Sequence, residues 1–303
     1  MARAQMKIID PHHHLWDLER LHYPWLAEPV AHIVGDYSAI RRSYPVAEFL
    51  TDAKNQDLVA SVHVQAEFDH DDDPVKETAW LQSVADGPES RGFPHGIVAY
   101  ADLAASNVED LLARHRQYPN IRGIRQMLNH APEAGLCFVA RGDLMRDARW
   151  RAGFALLETF GLSFDLQLWP WQMNDAATLA RDFPNIQIIL NHTGMPICRD
   201  RGGLEHWRHG MRALAEPPNV AVKLSGLGMF DHNWTTDSIR PFVLETIGWF
   251  GVERCMFASN FPVDKLMGSY DELWKSFAEI AASFSEAEQR KLFHDNAARY
   301  YRL

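Results

Sequence analysis

Short apolar runs alternate with longer amphipathic segments along the whole chain. Eight runs have the length and composition of strands: residues 7–12, 58–66, 96–102, 121–127, 162–168, 186–190, 220–225 and 255–259. Between them, residues 143–160, 176–183, 206–215 and 238–250 carry apolar side chains at helical spacing. A last helix opens on the capping box Ser285-Glu286-Ala287-Glu288 and runs to Tyr300. Strands alternating with helices predict an α/β fold, a (β/α)8 TIM barrel of parallel strands joined by right-handed crossovers. No linker, low-complexity tract or repeat interrupts it, so residues 1–303 read as one domain. The exception to the alternation is residues 18–44, rich in Pro, Tyr, Trp and His. An insertion after the first strand of a barrel sits over the active-site mouth, either as a lid or in contact with substrate.

Side chains alternate between two faces of a strand. Ile8, Asp10, His12 and His14 share one face, with His13 opposite; Ser61, His63, Gln65 and Glu67 share another. Gly123 and Arg125 pair on the fourth strand, Asp165 and Gln167 on the fifth, and Lys223 and Ser225 on the seventh. The sixth strand carries Ile188 and Leu190 toward His192, and the eighth carries Met256 and Ala258 toward Asn260. Polar residues on alternate positions of apolar strands face the barrel interior, because the outer face packs on helices. These gather toward the C-terminal strand ends, where barrel active sites lie. Buried polar groups destabilise unless a neighbour or a ligand satisfies them, so the convergence predicts an active site. Its densest stretch is Asp10-Pro11-His12-His13-His14-Leu15-Trp16-Asp17, whose paired imidazoles suit metal ligation or acid–base work. Trp16, Trp25, Trp169, Trp171 and Trp234 fall in loops after strands, placed to stack on a flat ring or to line a lid. Arg199 and Arg201 are anion-binding candidates or solvated loop arginines.

The 303-residue chain is 47% hydrophobic and 23% charged, as for a globular protein with a substantial core. A net charge of -10 argues against nucleic acid as a partner, since phosphate binding wants a basic face. Cys137, Cys198 and Cys255 are far apart and read as reduced thiols. Met1-Ala2-Arg3-Ala4-Gln5 leads into the first strand without an apolar signal region, and no stretch nears the roughly 20 apolar residues that span a membrane. These features predict a cytoplasmic protein with neither membrane nor nucleic-acid partner. Barrels of this size are often homodimers.

His12-x-His14, the barrel pattern and Asn191-His192-Thr193-Gly194-Met195-Pro196 together resemble the amidohydrolase superfamily. The resemblance is closest to its lactonase-like branch, which includes sugar-acid lactonases and 2-pyrone-4,6-dicarboxylate lactonase, and it covers nearly the whole chain. The opening resembles the family's Asp-x-His-x-His-x-Trp-Asp, and Ile121-Arg122-Gly123-Ile124-Arg125-Gln126 resembles its strand-four arginine motif. Ser259-Asn260-Phe261-Pro262-Val263 stands in the place of its Ser-Asp-Trp-Pro. The resemblance implies a hydrolase acting on the carboxylic ester of a small sugar-derived or carboxylated lactone. Two departures qualify it. Strand five offers Gln167 where many members have a metal-binding histidine, and the strand-eight aspartate that deprotonates water is Asn260. An amide has no titratable proton near neutral pH and is no general base, though it can orient water or weakly ligate a metal.

On this resemblance Arg125 holds the substrate carboxylate or polarises the lactone carbonyl, while His12, His14 and His192 supply oxyanion stabilisation and proton transfer. They do so directly or through one divalent ion, zinc or manganese. The base is then a neutral histidine of that set, Asp165, or Asp264, the last of which is otherwise a loop carboxylate paired with Lys265. His63 and Gln65 complete the floor, and Gln167 and Trp169 contact substrate. Rival readings are a metal-dependent decarboxylase or another amidohydrolase-type hydrolase, and a non-catalytic barrel that binds a small acid because Asn260 stands in place of the strand-eight aspartate.

Overall fold

The computed structural model describes residues 6–303. Its eight strands are β1 (Lys7–His13), β2 (Asp57–Val64), β3 (Gly96–Tyr100), β4 (Ile121–Met127), β5 (Ser163–Gln167), β6 (Ile188–Leu190), β7 (Val220–Leu224) and β8 (Cys255–Phe257). They follow one another around a single sheet in chain order, every neighbouring pair parallel. The sequence is apolar at most strand positions because both faces are covered, the outer by helices and the inner by the opposite strands.

The barrel is closed by side chains and by the chain just past β8. His14 N–H donates to Phe261 O at 2.7 Å and Asn260 N–H to His12 O at 2.8 Å. The Asp10 carboxyl accepts from Ser259 N at 3.0 Å, Ser259 Oγ at 2.6 Å and Tyr270 OH at 3.0 Å. The predicted eighth strand ends early because Ala258 to Asn260 bend across this seam instead of extending the ladder. The seam holds the His12–His14 stretch against Asn260.

The predicted helix over 143–160 is divided by Asp147. Its carboxylate caps Arg149 N and Trp150 N, so a 3-10 turn, Leu144–Arg146, precedes the helix Ala148–Phe160. The Ser285 box caps Glu286–Arg290 as expected, but the run passes through a π-helical turn, Lys291–Asp295, before Asn296–Tyr301. That register change delivers Tyr301, fully buried, to the bottom of the barrel, where its hydroxyl lies 2.9 and 3.0 Å from the two Asp165 oxygens.

Residues 18–44 form one short helix, Pro24–Ala27, and a 3-10 turn, Ser38–Ile40. An antiparallel bridge between Trp16 and Tyr44 fastens the segment at its base. Trp25 Nε1 ties its middle to Ala66 O at 2.9 Å. All three cysteines are free thiols. Among the described residues no helix is long and apolar enough to cross a membrane.

Candidate active site

A cavity of roughly 320 Å³ opens at the C-terminal ends of the strands. Its polar floor is His14, Glu67, Arg125, Gln167, His192 and Asn260, contributed by or just after β1, β2, β4, β5, β6 and β8. Trp25, Val30, Ala31, His32 and Ile33 from the segment over the mouth form one wall, while Met127, Phe138, Met195, Met229 and Val263 complete the rest. Among the described residues, the non-glycine positions with left-handed backbone are Glu67, Arg91, His192, Thr193, Met195, Asn260 and Arg302. Four of them, Glu67, His192, Met195 and Asn260, line this cavity. Each turns the chain sharply where a strand ends, a local cost of about 1–3 kcal/mol that the surrounding fold enforces.

Arg125 is 3% exposed. Its Nη1 donates to Gln167 Oε1 at 2.8 Å and its Nη2 to Gln65 O at 2.5 Å, while Nε–H has no partner. Both acceptors are neutral, and burial lowers the guanidinium pKa although Glu67, Asp165 and Glu77 oppose the shift from farther off.

His12, His14 and His192 form one cluster, with ring centroids 5.0 Å apart for His12–His14 and 4.5 Å for His12–His192. Burial lowers all three pKa values well below the usual imidazole range; the neighbouring Arg125 charge adds to it in each, and Lys223 adds to it for His12 and His192. They are neutral rings near pH 7. His14 Nδ1 lies 2.7 Å from Val64 O, an acceptor only, so its proton sits on Nδ1 and Nε2 carries a lone pair. His192 Nδ1 is fixed by Ser225 Oγ at 3.1 Å.

Beneath the floor lies a buried ion pair, Lys223 Nζ to Asp165 Oδ1 at 2.5 Å. Burial pulls the lysine down to about 8 while Asp165 opposes that shift. The same ammonium lies 3.2 Å from His12 Nδ1. A lysine that donates there leaves the neutral His12 proton on Nε2, which has no partner.

Asn260 Nδ2 donates to Asp264 Oδ1 at 2.8 Å. Burial pushes the Asp264 carboxyl up to about 7, partly offset by the Asn260 and Gly226 hydrogen bonds.

Of the residues singled out in the sequence, His14, Arg125, Gln167, His192 and Asn260 meet at the cavity. Most of the other candidates lie away from the cavity lining. His12 is fully buried below His14 and His192. Asp165 accepts from Lys223, Asn191 and Tyr301 and is closed off. Asp264 stands behind Asn260, and Lys265 pairs with Glu48 and Asp52 instead. His63 accepts from Leu15 N–H at 3.0 Å, and the Gln65 carboxamide is spent on Glu67, so neither lines the floor. Trp169 is fully buried with its Nε1 on Leu136 O at 2.7 Å, whereas Trp16 and Trp25 line the cavity. Trp171 is 41% exposed, Trp234 packs against Gly228 at the side of the barrel, and Arg199 is held by Leu227 O and Asp231. Glu67, on the inward face that it shares with His63 and Gln65, also lines the cavity, and the loop residues Cys137 and Phe138 reach it with no periodic signal in the sequence.

The expected metal set does not fit. Among the described residues no group of three or more His, Cys, Asp or Glu side chains is arranged to hold an ion. The three imidazoles lack an anionic partner, and two buried cations, Arg125 and Lys223, already occupy the neighbourhood.

Strand ends that converge polar side chains under a lid segment define the class: a TIM-barrel enzyme with its site at the C-terminal mouth. The family model for amidohydrolases (Amidohydro_2) matches residues 9–303, and the chain belongs to that family. It is 52% identical to the uncharacterized protein y4mH of Sinorhizobium fredii over 99% of this chain and 100% of that one. It is 30% identical to L-fucono-1,5-lactonase of Burkholderia multivorans, covering 97% of this chain and 96% of the relative. An amidohydrolase from Burkholderia multivorans solved with bound zinc superimposes with a TM-score of 0.81 at 28% identity, over 98% of this chain and 99% of that one.

Proposed function

We propose that the protein hydrolyses the ring ester of a small lactone, sugar-derived or carrying a carboxylate. The observation that carries this reading is Arg125, a buried guanidinium on the cavity floor whose hydrogen bonds go to neutral oxygens and whose Nε–H is unused. A buried cation without a close counter-charge is costly, and a ligand that brings oxygen and negative charge relieves it. The lactone carbonyl becomes an oxyanion during attack, so the interaction strengthens toward the transition state. His14 offers a lone pair to hold the attacking water or the product hydroxyl, and Asn260 orients the same water through its carboxamide. The lactonase relative supports the ester chemistry, and the three free thiols support a reducing, cytoplasmic setting.

The test is acid release in a weakly buffered pH-indicator assay over aldonolactones, muconolactones and pyrone carboxylates, run with and without EDTA. Saturable release on at least one lactone, persisting in EDTA, is the expected result. Folded protein that releases no acid on any of them, with zinc or manganese supplied, overturns the reading.

A further inference from the structure

We infer that Glu67 is the general base of this site, doing the proton chemistry that Asn260 has no means to do. The inference rests on the lactone-hydrolysing reading above and assigns the group that reading leaves open.

Water attacks an unactivated ester slowly at neutral pH unless a neighbouring group takes its proton. Every other carboxylate considered for the task is out of reach. Asp165 is sealed beneath the floor by Lys223, Asn191 and Tyr301. Asp264 stands behind Asn260 and is bonded to it. The histidines of the cluster are disfavoured acceptors, because taking a proton would place a third buried charge beside Arg125 and Lys223. Among the described residues Glu67 is the only carboxylate on the cavity wall.

Its position is built. Just past the end of β2 the chain takes φ +56 at Glu67, a left-handed turn unusual for a residue with a side chain. Gln65 clamps it from both ends: Gln65 Nε2 donates to Glu67 Oε1 at 2.5 Å, and Glu67 N–H donates to Gln65 Oε1 at 2.6 Å. The carbonyl of that same Gln65 receives Arg125 Nη2 at 2.5 Å. One residue therefore sets the spacing between the proton acceptor and the cation that stabilises the oxyanion. The charged and titratable groups facing Glu67 are Arg125, His70, whose Nε2 lies 3.5 Å from Oε2, and Tyr100, on which His70 stacks.

Glu67 takes a proton from water as the water oxygen bonds to the lactone carbonyl carbon, and the carbonyl oxygen takes up the negative charge against Arg125. The tetrahedral intermediate collapses, the ring C–O bond breaks, and the leaving alkoxide recovers the proton from Glu67. The product is the open hydroxy acid, which ionises in water.

The alternative role is a loop carboxylate that merely fastens His70, and variants separate the two. Glu67→Gln is near-isosteric and is expected to cut kcat by ~100- to 10,000-fold with little change in KM. Glu67→Ala is expected to be as slow and to regain activity as formate is added, since formate fits the space and restores a proton acceptor. His70→Ala is expected to turn over like the parent. Glu67→Gln within threefold of the parent kcat overturns the assignment and leaves the lactonase reading standing. So does His70→Ala matching the loss in Glu67→Ala without formate rescue. A parent enzyme that hydrolyses no lactone removes both.

Discussion

Replacing Arg125 by Met separates its chemical role from its structural one. The guanidinium offers Nε–H and one edge of the fork to a substrate oxygen pair. Hydrogen bonds from a charged donor contribute about 1.5–3 kcal/mol each. Two of them correspond to ~3–6 kcal/mol of transition-state stabilisation, or ~10²–10⁴ in kcat/KM. Stability moves differently. Arg125→Met orphans Gln65 O and Gln167 Oε1, at about 1–3 kcal/mol each, yet it removes a buried cation whose desolvation is of comparable size. Met also fills most of the volume with a flexible apolar chain. The variant is therefore expected to fold with a thermal midpoint near the parent while losing at least a hundredfold in kcat/KM. Arg125→Lys keeps the charge without the planar fork and is expected to fall between them. The assay is pH-indicator kinetics on the best lactone alongside thermal melts. An Arg125→Met protein within threefold of the parent kcat/KM would refute the reasoning, because a neutral side chain cannot replace a cation aimed at an oxyanion.

Gly226 has φ +66, and a Cβ there would lie 2.7 Å from His192 Nδ1. Gly226→Ala should displace the ring from Ser225 and slow turnover at least tenfold with a stability loss of about 1–3 kcal/mol; parent-like kinetics and melting would show that the ring has room to move. The Asp264 carboxyl stands at about 7 folded against 3.8 in the open chain, so the folded state holds the proton more tightly between those values. The stability this confers is full below pH 3.8 and lost as pH rises through about 7, on the order of 4 kcal/mol. Asp264→Asn does not titrate, so its melting temperature relative to the parent should climb from pH 4 to pH 8; a constant difference would show that Asp264 does not drive the dependence.

The barrel was legible in the sequence because parallel strands covered on both faces appear as apolar runs, with inward polar residues at period two. Parity gives the face of a residue but not its depth. Asp165 and Gln167 share a face of β5, yet Gln167 reaches the cavity and Asp165 lies one layer lower in the pair with Lys223. His12 lies below His14 for the same reason. Beyond a strand end the turn decides. β2 stops at Val64, and Glu67, in a left-handed turn, keeps the interior face that parity gives it. Trp169 lies two residues past β5, but the turn Pro170–Gln172 leaves it buried with its Nε1 on Leu136 O instead of over the site. Cys137 and Phe138 come from a loop with no periodicity to read.

The neutral Asn260 just past β8 is best understood through the charges around it. Lys223 is balanced at 2.5 Å by Asp165, whereas Arg125 has only more distant carboxylates, chief among them Glu67. The three clustered imidazoles are neutral and add no charge. A divalent ion set among them would stand beside both cations with no anionic ligand, since Asn260 is neutral. An oxyanion formed above Arg125 corrects the same imbalance. When Glu67 carries the proton taken from water, the carboxylate that acts most strongly on Arg125 is neutralised at the moment the substrate oxygen becomes negative. The counter-charge of Arg125 thus passes from protein to substrate, which favours the transition state over the resting state. The global charge of -10 does not oppose this, because exposed charges are screened beyond about 8–10 Å at physiological salt while a buried guanidinium is not.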